Sequence, residues 1–159
     1  MNTLIVYATN YGCTEKCATI LSEKLTGKVD LCNLKVVNAV DLSKYDKVII
    51  GGSIYMGKIQ KEVREFCSKN LNVLKDKKIG LFICCMRDGN IAETQLNKSF
   101  PQELLANAVA GEYFGGEFIF RKMNFLDKLI VKKVTKIDKD MSNILEENIN
   151  RFAQLMNNV

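Results

Sequence analysis

The sequence predicts an α/β fold in which one doubly wound sheet of five parallel strands carries helices on both faces. Three observations lead to this prediction. Short apolar runs alternate along the chain with segments whose apolar residues recur at helical spacing. Several runs are apolar at consecutive positions, as in strands that are covered on both sides. No linker, internal repeat or low-complexity stretch interrupts the 159 residues, so we treat residues 1–159 as a single domain.

The first half of the chain contains three predicted strands and two predicted helices. Residues 3–8 form an apolar run that favours a strand, and a polar turn follows it. Cys17, Ala18 and Leu21 then recur at helical spacing, and Gly27 ends this first helix, predicted over 15–25. The same criteria predict strands at 29–34 and 46–51 and, after a glycine-rich turn, a helix at 61–71.

The second half begins with a fourth buried strand at 78–85, followed by a turn and a helix at 91–100. Pro101 suits the first turn of a short helix that ends near Ala106. A fifth strand is predicted over 108–120, with a bend at Gly115–Gly116. Two further helices, at 124–135 and 139–156, follow this strand, and the first of them is strongly basic.

Composition excludes several classes of protein. With 47% hydrophobic and 26% charged residues the chain is typical of a water-soluble globular domain, and no apolar run reaches the ~20 residues of a membrane span. The N-terminus lacks the basic region and cleavage site of a signal peptide, so we expect a cytoplasmic protein. Peripheral association with the inner face of a membrane is the alternative location.

The six cysteines are interpreted as small buried apolar residues, because the chain has neither an export signal nor a C-x-x-C motif. Cys84 and Cys85 are adjacent and would point to opposite faces of a strand. The chain contains no histidine, which removes support for a zinc site and for a histidine-based triad. We therefore assign no metal ligand and no catalytic residue.

The turn after the first strand is suited to a phosphate. Thr9 and Thr14 offer hydroxyl groups, Gly12 permits a close approach of the backbone, and the start of a helix offers free N–H groups. No lysine or arginine lies between residues 1 and 15, so neutral donors are expected to do most of the binding. The spacing matches neither a P-loop nor a dinucleotide fingerprint. An ordinary capped turn between a strand and a helix is the alternative.

Two of these turns resemble those of a known family. The segment 7–14 (Y-A-T-N-Y-G-C-T) resembles the phosphate loop of flavodoxins, and 51–58 (G-G-S-I-Y-M-G-K) resembles their second, flavin-contacting loop. The order of the elements is similar over essentially the whole chain. The resemblance implies the strand order 2-1-3-4-5, with non-covalent FMN at the point where strand order reverses; flavodoxin with FMN is itself a standard instance of this rule.

The resemblance also implies a set of cofactor-binding residues in three loops. The first loop would hold the phosphate through Thr9, Asn10, Tyr11, Gly12, Cys13 and Thr14. The second loop would line the isoalloxazine ring through Ser53, Ile54, Tyr55, Met56 and Gly57, with Met56–Gly57 matching the family's redox-switching peptide. The third loop would meet the pyrimidine edge through Cys85, Met86, Arg87, Asp88 and Gly89. An asparagine is more usual than Cys13, and the third loop lacks the aromatic that the family often stacks there.

Positive charge is concentrated in one part of the chain, since residues 121–139 hold seven basic and two acidic residues while the whole chain carries +5. Lys128, Lys132 and Lys136 share one side of the predicted helix, and the other side is apolar. The apolar residues are Leu126, Leu129, Ile130, Val134 and Ile137. This pattern indicates either a packed helix with a solvated lysine face or a surface that docks anionic lipid or an acidic redox partner.

These features support three hypotheses about function. The leading one is electron transfer through FMN, with a redox partner protein or a quinone and without a nucleic-acid partner. The second is an FMN-dependent oxidoreductase, because the second loop and the segment 118–133 resemble the flavodoxin-type protoporphyrinogen dehydrogenases, which pass electrons to a membrane quinone. The third is a flavin-free module that acts through protein contacts. The sequence leaves open whether the protein is an enzyme.

Overall fold

The computed structural model describes residues 1–37, 39–135 and 139–159. Its strands are β1 (Asn2–Tyr7), β2 (Lys28–Asn33), β3 (Lys47–Tyr55), β4 (Lys58–Ile59), β5 (Lys78–Cys84), β6 (Ala110–Tyr113), β7 (Gly115–Phe118) and β8 (Met141–Ile144). Its helices are α1 (Cys13–Lys24), α2 (Lys61–Lys69), α3 (Leu71–Leu74), α4 (Gly89–Ser99), α5 (Gln102–Asn107), α6 (Phe125–Thr135) and α7 (Glu146–Asn157). Short 3₁₀ turns span Leu42–Lys44 and Phe120–Lys122.

Five parallel strands form the main sheet in the order β2-β1-β3-β5-β6, which is the predicted order 2-1-3-4-5 when the strands of this sheet are counted along the chain. The register pairs Ile5 with Leu31 on one side of β1 and with Ile49 on the other. Strand order reverses between β1 and β3, because the chain adds β2 on one side of β1 and the later parallel strands of this sheet on the other. The predicted doubly wound α/β fold is confirmed.

The core consists of two apolar layers, one on each face of the sheet. Leu4, Val48 and Leu81 lie in the layer that also contains buried residues from α2, α3, α4 and α5. Ile5 and Phe82 lie in the opposite layer, with buried residues from α1 and α7. This division explains the continuous apolar runs in the sequence, because alternate residues of each strand are buried on opposite sides.

The chain differs from the prediction after β6. The fifth strand, expected over 108–120, is two strands: β6 belongs to the main sheet, and β7 pairs antiparallel with β8 in a separate two-stranded sheet. The break falls at the predicted bend, where Gly115 has φ 81° and a side chain would collide with the backbone carbonyl of Asn143. The helix expected over 139–156 was wrong in its first part, since 141–144 form β8 and α7 begins at Glu146.

Two smaller differences concern β3 and α2. The third strand continues beyond Gly51 to Tyr55, because β4 turns back and pairs with its end. The helix expected over 61–71 ends at Lys69, and a separate turn of helix follows it. The basic helix expected over 124–135 is confirmed as α6, while Lys136 and Ile137 lie outside the described residues.

Candidate functional site

A cavity of about 410 Å³ opens at the carboxyl ends of β1, β3 and β5, beside the point where strand order reverses. Ligands of open parallel sheets bind at this position, and the volume lies in the range of small-molecule sites. The cavity is lined by Thr9, Asn10, Tyr11, Cys13, Ser53, Ile54, Tyr55, Met56, Gly57, Cys84, Cys85, Met86, Arg87, Gln95, Gly116, Glu117, Phe118, Met123, Ile130 and Val131.

The first loop forms a cradle between β1 and α1. The backbone N–H of Gly12 donates to the Thr9 hydroxyl at 2.8 Å, which folds the loop back on itself. Gly12 precedes α1 with φ 98°, a left-handed conformation that favours glycine. No side chain caps the first turn of this helix, so its N–H groups remain available to an anion.

Two lysines distant in sequence lie beside this cradle. A Cβ on Gly12 would lie only 3.7 Å from Lys122 Nζ, which puts that ammonium group next to the loop. Lys35 Nζ donates to the Asn10 side chain at 2.6 Å. The sequence led us to expect mainly neutral donors here. The fold adds positive charge to them, because segments that follow β2 and β7 approach the same corner.

The second loop is a tight hairpin between β3 and β4. Tyr55 pairs with Lys58, so Met56 and Gly57 are the two turn residues. Their φ values are 50° and 78°, the left-handed pair that a two-residue hairpin of this kind requires. The conformation costs nothing at Gly57 and about 1 kcal/mol at Met56. Gln60 steadies the preceding strand by accepting the Ser53 backbone N–H at 2.9 Å.

The third loop follows β5 and is held to β7. The Cys85 N–H donates to the Gly115 carbonyl at 2.8 Å, and a Cβ on Gly116 would lie 2.6 Å from Met86 Sδ. Cys85, Met86 and Arg87 line the cavity. Asp88 and Gly89 do not, since they lie where α4 begins.

The segment 120–131 closes the remaining side of the cavity. Met123, Ile130 and Val131 supply an apolar wall, and the Tyr55 hydroxyl donates to Asp127 Oδ1 at 2.6 Å, which fastens α6 to the second loop. The apolar residues that the sequence assigned to one side of the helix therefore have two different environments. Ile130 contacts the cavity, whereas Leu126 is 65% exposed.

Among the described residues, two buried side-chain polar atoms have no hydrogen-bond partner, and both lie at this site. The Thr14 hydroxyl is enclosed at the cradle, and Gln95 Oε1 belongs to a residue that lines the cavity. A buried polar atom without a partner costs about 1–3 kcal/mol. A ligand with a phosphate at the cradle and a hydrogen-bond donor near Gln95 would remove both costs, so the site fits a molecule of that kind.

All six cysteines are buried, as the sequence predicted, and their thiols are free. Hydrogen bonding with the thiols of Cys17 and Cys84 lowers the pKa of Cys13, and hydrogen bonding with Cys13 raises the pKa of each of these two thiols. At the base of the cradle, burial and a hydrogen bond to Glu15 raise the pKa of Tyr7 to about 12. Tyr7 therefore stays neutral and donates to Glu15 at 3.0 Å.

The structure brings most of the predicted site residues together around one cavity, with Gly12 and Thr14 in the cradle beside it. It also adds residues that the sequence did not assign to the site. These are Lys35, Cys84, Gln95, Gly116, Glu117, Phe118, Lys122, Met123, Ile130 and Val131. A basic and apolar segment after the fifth strand was visible in the sequence, but no local pattern showed that it folds back over the cavity.

Fold and cavity together define a doubly wound α/β domain with an open cavity at its switch point. Residues 4–144 match the Flavodoxin domain family, and the chain belongs to that family. No curated protein matches the chain at a significant level.

Solved structures share the fold at low sequence identity. Flavodoxin 2 from Bacillus cereus is 20% identical, with a TM-score of 0.61 over 98% of this chain and 97% of that one. The flavodiiron core of Flv1 from Synechocystis sp. PCC6803 is 19% identical, with a TM-score of 0.58. The comparison covers 100% of this chain but only 37% of Flv1. A flavoprotein from Lactobacillus acidophilus, solved in complex with FMN, is 13% identical with a TM-score of 0.53 over 70% of this chain and 92% of that one.

Across the described part of the chain, no helix is both long enough and apolar enough to cross a bilayer.

Proposed function

We propose that this protein transfers electrons through one non-covalently bound FMN. Membership of the flavodoxin family supports the proposal. The observation that carries it is a pair of buried side-chain atoms without partners: Thr14 Oγ1 in the cradle, and Gln95 Oε1 of a residue that lines the adjacent cavity of about 410 Å³. When bound, FMN would accept and release electrons one or two at a time, and the protein would supply binding, orientation and electrostatics.

The cradle is the proposed phosphate site. Thr14 would donate its free hydroxyl, the first N–H groups of α1 would donate from the backbone, and Lys122 would add a positive charge. Hydrogen bonds to a charged group contribute about 1.5–3 kcal/mol each. The site should therefore prefer FMN to riboflavin, which lacks the phosphate.

The second and third loops are the proposed ring site. Tyr55 and Met56 offer an aromatic ring and a thioether against a ring face, and Gln95 offers an acceptor for a ring N–H. The Met56–Gly57 peptide lies in an exposed turn, and Gly57 tolerates the positive φ that a flipped peptide needs. Phe118, Met123 and Val131 would exclude water from the far side.

The direct test is titration of flavin-free protein with FMN and with riboflavin, followed by flavin fluorescence. We expect stoichiometric quenching by FMN and affinity for riboflavin lower by about 10-fold or more, since one charged hydrogen bond is worth at least that factor. Anaerobic photoreduction followed by mixing with a quinone should then return the oxidised flavin spectrum. Absence of FMN binding would overturn the proposed function and leave only the assignment of the fold.

A second candidate is an FMN-dependent oxidoreductase that passes electrons to a membrane quinone, with protoporphyrinogen as its substrate. The observation in its favour is the surface next to the cavity, where Phe125, Leu126 and Leu129 are exposed among basic residues of the same segment. Such a surface fits the anionic face of a membrane better than an acidic protein, because exposed apolar side chains enter lipid favourably. Peripheral attachment at the inner face of a membrane is the location this candidate requires.

Anaerobic incubation of the FMN-loaded protein with protoporphyrinogen and a soluble quinone separates the two candidates. Formation of protoporphyrin with reduction of three quinones for each porphyrin formed, which accounts for the six electrons and six protons removed, would favour the oxidoreductase. Electron exchange with the quinone, without consumption of the tetrapyrrole, would favour the carrier.

A further inference from the structure

Three of the six cysteines meet below the cradle. Cys13 and Cys17 are four residues apart on α1, and so share one side of the helix. Cys84 ends β5, the strand that faces this part of the helix across the core. The three sulfur atoms all lie within 4.8 Å of one another.

The other three cysteines do not join this cluster. Cys32, Cys67 and Cys85 belong to the core layer on the opposite face of the sheet. If the cysteines served only as small apolar residues, nothing would require three sulfur atoms to share one point. Their convergence is the feature that requires a further explanation.

The cluster offers sulfur and no other kind of ligand. Among the described residues the group of potential metal ligands at this point comprises only these three thiols, and the chain has no histidine. The nearby carboxylate of Glu117 is already engaged by Lys16 at 3.2 Å and by the Ser142 hydroxyl at 2.9 Å. Sites made only of sulfur ligands select soft ions. Structural zinc takes four protein ligands, one more than this cluster offers, so the three thiols favour a soft ion over zinc.

Geometry and access also suit an ion. Three sulfur atoms about 2.3 Å from a central ion lie roughly 4 Å apart, so small side-chain rotations would bring the thiols to bonding distance. Cys17 is fully buried, which keeps water and hard ions away. Cys13 and Cys84 line the cavity, which gives an ion a route inward.

We propose that Cys13, Cys17 and Cys84 form a three-sulfur site for one soft monovalent cation with a filled d shell, of which Cu(I) is the probe. Binding replaces S–H bonds by Cu–S bonds and releases the displaced protons to the buffer. No electron is transferred, so no oxidant or reductant takes part. The proposal does not rest on the proposed flavin function, although Cys13 belongs to the cradle and Cys84 lines the same cavity.

The experiment uses reduced, flavin-free protein under anaerobic conditions, with Cu(I) supplied from a coloured competing chelator. We expect one Cu(I) per chain. Cys17→Ala should lower the affinity for Cu(I) by at least about 100-fold. Loss of a group that only supports a metal ligand costs up to about 100-fold in affinity, and loss of the ligand itself should cost no less. Cys67→Ala is the matched control, because Cys67 is also a buried helical cysteine, at 1% exposure against 0% for Cys17. Its affinity should equal that of the unmodified protein.

Thermal unfolding of both variants verifies that they fold, and Cys17→Ser replaces Cys17→Ala if the latter does not. Absence of stoichiometric Cu(I) binding, or equal binding by the Cys17 variant, would overturn the site. Binding of Zn(II) without Cu(I) would overturn the three-coordinate assignment. Titration of the same metal-free proteins with FMN reports separately on the proposed function, so the two failures are distinguishable.

Discussion

Thr14 is the residue whose environment is hardest to explain without a ligand. Its side chain is fully buried and its hydroxyl has no partner. Thr14→Val keeps the shape and removes the hydroxyl. We expect the flavin-free protein to be as stable or slightly more stable, because an unsatisfied polar group disappears. Affinity for FMN should fall by about 10-fold, and fluorescence titration with thermal unfolding measures both effects.

Thr19→Val is the control for this change, because Thr19 lies on the same helix but its hydroxyl is exposed and donates to the Glu15 carbonyl at 2.9 Å. It should leave FMN affinity unchanged. A Thr14→Val protein that binds FMN normally would mean that the buried hydroxyl serves no ligand.

Lys122 tests the charge of the cradle. Its ammonium group approaches Gly12, although the two residues are far apart in sequence. Lys122→Gln should weaken FMN by several-fold, leave riboflavin unaffected, and reduce the salt dependence of FMN binding. Lys133→Gln, an exposed change on α6, should alter none of these quantities. Equal losses for FMN and riboflavin would assign Lys122 to the shape of the cavity and not to a phosphate.

At the scale of elements, the sequence predicted well wherever one local rule applied. The strands of the main sheet and helices α1 and α4 follow from apolar periodicity, and the break at Gly115 follows from a glycine pair. It failed at β8, where the segment 141–144 is mostly exposed and has no strand-like alternation of buried residues. That strand exists because it pairs with β7, and such a long-range partner leaves no mark in a short window of sequence.

In the candidate site, too, the parts set by local sequence could be predicted and the parts set by long-range contacts could not. The loops after β1, β3 and β5 could be predicted because each carries its own glycines and turn residues. The closing wall could not, because α6 reaches the cavity through tertiary contacts of Asp127, Ile130 and Val131. The position of Lys122 beside the cradle could not be predicted either, because it too depends on tertiary structure. Local patterns identify the ends of the strands, and only the fold shows what covers them.

The hydrogen bond from Tyr55 to Asp127, 2.6 Å long, is the element-scale contact that fastens α6 to the second loop. Tyr55→Phe should loosen this helix, because a hydrogen bond to a charged group contributes about 1.5–3 kcal/mol. Hydrogen exchange of the amides of 125–135 should become faster. Tyr45→Phe removes a comparable bond to Asp30, 2.8 Å long, away from the cavity, and should leave α6 unchanged. Unaltered exchange in Tyr55→Phe would mean that apolar contacts alone hold the helix.

At the scale of the whole molecule, the segment that carries the excess positive charge also carries a group of exposed apolar side chains. Phe125, Leu126 and Leu129 are 77%, 65% and 48% exposed within five residues of chain. Four exposed basic residues flank them in the same segment of chain: Arg121, Lys122, Lys132 and Lys133. Lys132 also lies 5.5 Å from the centre of the Phe120 ring, an attractive contact that fixes one charge over an aromatic side chain. Scattered exposed apolar residues are ordinary, but three together on the helix that lines the cavity are the surface that we propose docks on an anionic membrane.

We therefore expect the protein to bind vesicles that contain anionic lipid and not vesicles of neutral lipid. Each basic residue near the surface contributes about 1 kcal/mol, and this part of the affinity should weaken as salt is added. Phe125→Ser combined with Leu126→Ser should reduce cosedimentation with anionic vesicles several-fold at constant charge. Val36→Ser is the matched control, because Val36 is as exposed as Phe125, at 77%, but lies elsewhere. Equal loss in both variants would mean that Phe125 and Leu126 have no specific role in vesicle binding. Capture of the unmodified protein by an acidic protein but by no vesicle would assign the surface to a protein partner, because lipid binding requires both the apolar side chains and the charge around them.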